Sequence, residues 1–481
     1  MENYSSKLKR NSIYNALYKG FTAFFPIITM AYISRVLMPE GIGRVEYANT
    51  VVSYFVTIAS LGLPTYGVRV IAQNLVDNKQ ENKAFFELFV INFISTMLMV
   101  FAYFMFVNLM PHFANRRLLF NVMGLLLILN IFNCDWFYQG IEEYGYIATR
   151  SVLIKIVSFV FMVLFVKSSK DYIAYALILC VATAGNNLCN IIYVRKYIEI
   201  GKYHLNLKKH IRPLLILLAS TLATQVYTML DSIMLEAIHG EVSVGLYSNA
   251  VKIVRMVYTV SIALVNPFYP RISRLVGERE SNEVNRLMSE GTKLILLIAL
   301  PCVTGIIAVA PSIIRVLFGA EFLPSTVTLR ILSVLIVVFS VAFFDGHIIL
   351  MGTGHERKIL IASVIGAIVN FTANSILIPP LKQNGAALAS VLAEVIVTLI
   401  VVVNAKRYYH ITLAKKFMMS CVVASLCTGF IAWYVCEKLT SSIVGLGTSI
   451  VIGIICYGLC LIVTRNEFAV TCAKMLFRKK N

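Results

Sequence analysis

About fourteen apolar runs, each close to 20 residues long and separated by short polar joints, leave this 481-residue chain few folds to choose from. A helix rises 1.5 Å per residue, so about 20 apolar residues match the roughly 30 Å of hydrocarbon in a bilayer. Inside hydrocarbon every backbone N–H and C=O must be bonded within the protein, and a helix achieves this segment by segment. The runs fall near 11–34, 45–64, 84–107, 118–139, 147–166, 171–194, 212–236, 245–266, 292–318, 325–346, 356–378, 383–403, 414–435 and 441–464. Charged residues make up only 14% of the chain, against about 25% in soluble domains. The expected class is therefore an all-α polytopic membrane protein, with joints too short to hold a sizeable extramembrane domain.

The basic start MENYSSKLKR resembles the front of a signal peptide. The apolar run behind it is too long, however, and lacks a small-residue cleavage site, so it is expected to stay as the first span. Ten cysteines are scattered through apolar runs without a C-x-x-C pair or metal-ligand spacing, which reads as small core residues and no metal site.

A net charge of +19 raises the question of nucleic acid, and the distribution of the charges answers it. With the joints assigned alternately to two sides, the side of the N-terminus collects Lys7, Lys9, Arg10, Arg195, Lys196, Lys208, Lys209, Arg271, Arg274, Lys406, Arg407 and the basic tail. The other side holds little beyond Arg35, Arg44, Arg116, Arg117, Lys167, Lys170, Lys382 and Lys438. The positive-inside rule then places both termini in the cytoplasm and explains the basic excess by topology, without nucleic acid. The basic joints are also suited to anionic lipid heads.

The stretch SRVLMPEGIGRVEYANTVVSYF has an echo in SVGLYSNAVKIVRMVYTVSIALVNPFYPRIS. Gly43 and Ala48 match Gly245 and Ala250 at an offset of 202, and Pro64 and Tyr66 match Pro267 and Tyr269 at 203. Both sets mark the second span of a six-span unit. Units with an even number of spans enter the membrane from the same side, which predicts two parallel six-helix lobes, 1–205 and 206–410. Residues 411–481 then supply two further spans and a basic tail. Ser34 to Gly43 reads as a tight outer turn bent by Pro39 and Gly41, with Gly240 to Gly245 as its counterpart. Together the two turns read as hinges for an alternating-access scaffold.

Ionisable residues inside spans are costly and mark function or pairing. The basic ones are Lys19, Lys155, Lys252 and Arg255, with Arg315 and Arg330 nearer a boundary. Lys252 and Arg255, three apart, share one helical face and predict a wet cationic wall for an anion such as a diphosphate. Pairing of Arg255 with Asp231 is the bland alternative, as is snorkelling for Lys19 and Lys155. Asp135 and Asp345 read as interfacial. Glu394, at mid-span, and Asp231 are candidates for exchanging a proton or sodium ion. Asn370, Asn374, Gln225 and Tyr227 suit sugar hydroxyls or helix packing.

The run YISRVLMPEGIGRVEYANTVVSYFVTIASLGLPTYGVRVIA resembles the N-terminal signature of bacterial polysaccharide flippases, the Wzx-type O-antigen translocases of the multidrug/oligosaccharidyl-lipid/polysaccharide exporter superfamily. DWFYQGIEEYGYIATRSVLIKIVSF, YTMLDSIMLEAIHGEVSVGLYSNAVKIV and IIRVLFGAEFLPS are similar to later stretches of that family. The resemblance implies a non-enzymatic carrier of undecaprenyl-diphosphate-linked oligosaccharide, moving it from the inner to the outer leaflet of the cytoplasmic membrane. A cationic lumen and coupling to H⁺ or Na⁺ come with it, and no other cofactor. A polysaccharide polymerase and a chain-length regulator are implied as partners in building O-antigen, capsule or exopolysaccharide. Carried over residue by residue, it singles out Ser34, Arg35, Asp231, Lys252 and Arg255, whereas Glu394 rests on its position alone. The chain has no G-x-x-x-x-G-K-[ST], so ATP is not expected to drive it. A lipid II flippase of the MurJ type, whose Arg-rich N-terminal signature is absent, and a cation-coupled multidrug exporter are the neighbouring readings. A membrane glycosyltransferase would need a large aqueous loop carrying carboxylates.

Overall fold

The structure is a computed structural model that describes the backbone of residues 2–75, 78–199, 201, 203–277, 281–411, 413–439 and 443–471. Side chains are described in the same ranges except at 2–24, 78, 220, 223, 224, 226–228, 270, 273, 276, 277, 281 and 356. It is helical throughout, with no strand among the described residues. Backbone contacts gather it into two units, Met1–Ile233 and Met234–Asn481, each taken below by itself.

Unit 1 opens with α1 (Glu2–Ser60), which is two rods, 2–37 and 39–60, because Met38 breaks the helical path at φ 60°, ψ 174°. The expected turn over Ser34–Gly43 is thereby corrected. One residue does the turning, Pro39 takes the first helical position beyond it, where its missing N–H leaves nothing unpaired, and Gly41 lies inside the second rod. Next come a short amphipathic helix, α2 (Leu63–Asn74), and the long α3 (Asn78–Leu109). The fourth crossing is assembled from pieces, a 3-10 turn followed by α4 (Arg117–Met123) and α5 (Leu125–Leu129). A single short helix, α6 (Asp135–Gly140), leads into α7 (Tyr144–Phe165) and α8 (Tyr172–Tyr193).

The same order then repeats. α9 (Lys208–His239) and α10 (Glu241–Val265) meet at Gly240, whose φ 74°, ψ −174° reproduces the Met38 turn 202 residues on. A short amphipathic helix, α11 (Phe268–Gly277), and the long α12 (Ser281–Phe318) follow. Another broken crossing is built from α13 (Ser325–Ser333), α14 (Leu335–Val341), a π-helical turn Ala342–His347 and α15 (Ile348–Gly352). α16 (Glu356–Leu381) and α17 (Gln383–Ala405) complete the repeat, and α18 (Lys415–Lys438) and α19 (Ile443–Val463) are added to it. Twelve stretches with described side chains are long and apolar enough to cross a membrane. The first of them, Phe25–Asn74, contains the Met38 turn, and α9 is a further helix of 32 residues. Fourteen crossing rods therefore account for the described chain.

The Met38 turn yields a prediction. Its dihedrals lie in a region open to glycine and strained for other residues by about 1–3 kcal/mol. Met38→Gly relieves that strain but loosens the unfolded chain by up to about 1 kcal/mol, for a net gain of about 1 kcal/mol. Gly240→Ala imposes the strain in the second repeat and destabilises by a similar amount. Thermal unfolding in detergent would check both, and a lower melting temperature for Met38→Gly would refute the account.

Burial runs opposite to that of a water-soluble bundle. Phe101 on α3 is 72% exposed and Ile192 on α8 70%, areas that only lipid covers without cost. Within unit 1, α2 and α6 touch at glycines. A Cβ at Gly67 would stand 2.7 Å from the Trp136 ring, and one at Gly140 2.7 Å from Ile71. This contact seats a core of Leu63, Ile71, Phe85, Trp136, Phe137 and Leu214. In unit 2, α18 and α19 dock on α12. Thr304 donates to the Ser425 carbonyl at 2.8 Å, and Tyr457 to that of Leu297 at 2.7 Å.

Candidate functional site

The polar residues of each unit begin as helical positions. On α10 the side chains of Ala250, Ile253, Val254, Ser261 and Val265 are buried against the rest of unit 2. Lys252 and Arg255 fall on the other face, three residues apart. Lys252 is half-buried and Arg255 exposed. Tyr258 flanks them, within electrostatic reach of Glu394 on α17. Glu394 itself is 5% exposed. The two helices are tied nearby by a 2.9 Å hydrogen bond between the Tyr247 hydroxyl and Ser390 Oγ. A cationic face and a buried carboxylate thus belong to neighbouring helices of one unit.

Polar groups continue through unit 2. Asn374 Nδ2 donates to Asn370 Oδ1 at 3.0 Å, both side chains being buried on α16. Asp345, read from the sequence as interfacial, is enclosed by protein. It is 3% exposed, sits on the π-helical turn and accepts the Thr292 hydroxyl from α12 at 2.5 Å. Tyr409, in the joint after α17, donates to the Asp345 carbonyl, and burial pushes its phenol above the ordinary value.

In unit 1, Asp231 of α9 is 3% exposed and lies within electrostatic reach of Tyr54 on α1. A polar thread runs close by. Thr57 donates to Gln225 Oε1, and Asn130 Nδ2 donates to Thr96 Oγ1 at 3.2 Å. Arg35 is exposed on the first rod of α1, and Lys155 is half-buried on α7. The side chains of Lys19 and Tyr227 lie outside the described residues.

Asp135 is paired, and its partner was not singled out from the sequence. Arg150 Nη2 of α7 donates to Asp135 Oδ1 at 2.8 Å, and Asn190 Nδ2 of α8 donates to the same oxygen at 2.8 Å. The Arg150 guanidinium also stands 5.0 Å from the centre of the Tyr146 ring. A second missed group is Glu87 of α3, whose side chain is fully buried and is met by Lys209 and His210. Both lie within a few residues of a span end. Charge at a span boundary looks ordinary in sequence, and burial alone distinguishes it.

Known proteins resemble this chain in sequence and in fold. The profile of a family described as "Polysaccharide biosynthesis protein" matches residues 8–276, and that of the MatE family matches residues 217–376. A protein of Escherichia coli strain K12, whose name marks it as a candidate O-antigen transporter, is 23% identical over 403 residues, covering 81% of this chain and 95% of its own length. A Haloferax volcanii protein named as a candidate flippase of low-salt glycan biosynthesis, Agl15, is 25% identical over 43% of this chain and 44% of its own. Among solved structures, the lipid II flippase MurJ in an inward closed conformation superposes with a TM-score of 0.75 at 15% identity, over 95% of this chain and 99% of that one. An inward-facing multidrug transporter of the MATE family gives 0.65 at 15% identity, over 80% and 93%. At such identity the likeness establishes the fold, that of MurJ- and MATE-type transporters.

Proposed function

Because the chain belongs to the polysaccharide biosynthesis protein family, we propose that it is a flippase for undecaprenyl-diphosphate-linked oligosaccharide units in the bacterial cytoplasmic membrane. It carries them from the inner to the outer leaflet for assembly into O-antigen, capsule or exopolysaccharide. The observation that carries this reading is the alignment with a candidate O-antigen transporter over 81% of this chain.

The physics of the cargo fits. A diphosphate cannot cross hydrocarbon unaided, while its polyprenyl tail is at home there. A carrier therefore has to shield only the head group. Arg255 and Lys252, with Lys19, Lys155 and Arg35, supply the cations, Arg by bidentate hydrogen bonds and Lys as a point charge. Lobes 1–205 and 206–410 alternate access to this head group, with 411–481 appended, and no bond in the cargo is made or broken. Both termini lie in the cytoplasm, where the basic joints meet anionic lipid. A polymerase and a chain-length regulator take up the product on the outer side.

Ion flow drives the cycle, with Glu394 and Asp231 as the exchanging carboxylates, a role that their burial supports. The test is a leaflet assay with purified protein in liposomes, following an undecaprenyl-diphosphate oligosaccharide under imposed H⁺ or Na⁺ gradients. Protein-dependent exchange stimulated by one gradient is expected. Glu394→Gln should retain exchange without a gradient and lose the stimulation. Stimulation that survives in Glu394→Gln removes this residue from the coupling role. A lipid II flippase is the second reading, favoured by the MurJ superposition. It would prevail if lipid II were exchanged and the oligosaccharide lipids were not.

A further inference from the structure

α12 runs as one helix of 38 residues, and two positions inside it, Pro301 and Pro311, have no backbone N–H to donate. Each proline takes the donor away from the carbonyl four residues earlier, that of Leu297 for Pro301 and that of Ile307 for Pro311. In hydrocarbon no water replaces the missing donor, so a side chain from a neighbouring helix has to. At both carbonyls one does. Tyr457 Oη of α19 donates to the Leu297 carbonyl at 2.7 Å, and Arg330 Nε of α13 donates to that of Ile307 at 3.0 Å. The sequence marks Arg330 as a cation near a span boundary, and this bond accounts for it.

The two repairs differ in where they come from. Arg330 is exposed and belongs to the next crossing of the same repeat. Tyr457 belongs to the pair α18 and α19 that follows the repeat, and it packs half-buried against a core of Leu296, Phe417, Cys421, Ala424 and Leu461. The turn beyond Pro301 is bound to the same pair. Thr304 Oγ1 donates to the Ser425 carbonyl of α18 at 2.8 Å, and a Cβ at Gly429 would stand 3.1 Å from the Thr304 carbonyl oxygen. The appended pair therefore grips α12 on both sides of Pro301, at Leu297 before it and at Thr304 after it.

We propose that α18 and α19 act as a conformational lock on α12, in which the Tyr457 hydroxyl holds the Pro301 break in one shape and its withdrawal turns that break into a hinge. A proline turn lacks one rung of the helix ladder, and its ring presses on the carbonyl four residues back, so bending concentrates there. The Leu297 carbonyl needs its donor in hydrocarbon, which ties the path of α12 to the position of Tyr457. Thr304 prevents the turn beyond the break from swinging away from α18. The lock gives the helices outside the two repeats a task of their own, whichever lipid is carried.

Hydrogen–deuterium exchange of the full-length protein in detergent tests it, read at the amides of Cys302 to Gly305, with those of Ser312 to Arg315 beyond Pro311 as the internal control. Tyr457→Phe keeps the ring and removes only the donor. It is expected to lower protection at 302–305 by about tenfold, the worth of one hydrogen bond, and to leave 312–315 unchanged. Pro301→Ala returns an N–H to the Leu297 carbonyl, so in that background Tyr457→Phe should lower protection by only about twofold or less. No loss at 302–305, a loss shared by 312–315, or an equal loss in both backgrounds overturns the proposal. Should Tyr457→Phe not fold, Thr304→Val, which removes the donor to Ser425, is read at the same amides. A local loss at 302–305 then supports the lock, and unchanged protection there overturns it.

Discussion

Arg255→Ala is expected to lower protein-dependent exchange of the diphosphate-linked oligosaccharide by about 10-fold to 100-fold. A hydrogen bond to a charged group contributes about 1.5–3 kcal/mol, and about 1.4 kcal/mol corresponds to a factor of ten. Arg255 is exposed on α10, so its removal leaves no cavity in unit 2, and the melting temperature should stay near that of wild type. The loss would then belong to transport and not to folding. Lys252, half-buried on the same face, should give a smaller loss when replaced by Ala, because a point charge lacks the second, parallel hydrogen bond. Arg255→Lys separates charge from shape. Recovery of only part of the rate would identify bidentate contact with phosphate oxygens, and full recovery would leave charge alone. Exchange of a zwitterionic phospholipid in the same vesicles should be indifferent to all three substitutions. An unchanged oligosaccharide rate in Arg255→Ala would return this residue to a structural role, with the family assignment intact.

The fold was legible because hydrophobic length is a coarse signal that tolerates errors of several residues. Fourteen apolar runs became fourteen crossing rods, and the echo between Gly43 and Gly245 became a repeated order of elements. What hydropathy could not supply was the mechanics of the breaks. The joint at Ser34–Gly43 contains Pro39, Gly41 and Gly43, all familiar turn formers, and yet the turn is made by Met38. The second repeat puts a glycine at that very place, so the comparison of Met38 with Gly240 held the answer, and residue preference taken singly concealed it. The acids divide in the same way. Glu394 and Asp231 stood out because they interrupt apolar runs, and both are buried. Glu87 and Arg150 lie close to span ends, where sequence cannot distinguish a solvated charge from one enclosed by a neighbouring helix. Their partners come from distant parts of the chain, His210 in one case and Asp135 with Asn190 in the other.

That enclosure makes the Asp135–Arg150 pair the place where one substitution should damage folding most. Arg150 is 5% exposed in its side chain, and its Nε and Nη1 have no hydrogen-bond partner among the described residues, so Asp135 is the acceptor that keeps the guanidinium tolerable there. Asp135→Ala leaves a buried cation uncompensated, at a cost of about 3–5 kcal/mol. The low end applies here, because Asp135 is 35% exposed and water reaches its side of the pair. Asn190 loses its acceptor in the same variant, which adds a second unpaired group between α6 and α8. Replacing the cation as well should reverse much of the damage. Arg150→Met in the Asp135→Ala background puts a thioether against Tyr146, and exchanging a buried pair for apolar side chains is often neutral or better. The double variant should therefore melt above the Asp135→Ala single variant. If Asp135→Ala instead melts within about 1 kcal/mol of wild type, Arg150 has found water or another acceptor, and the pair does not hold α6, α7 and α8 together.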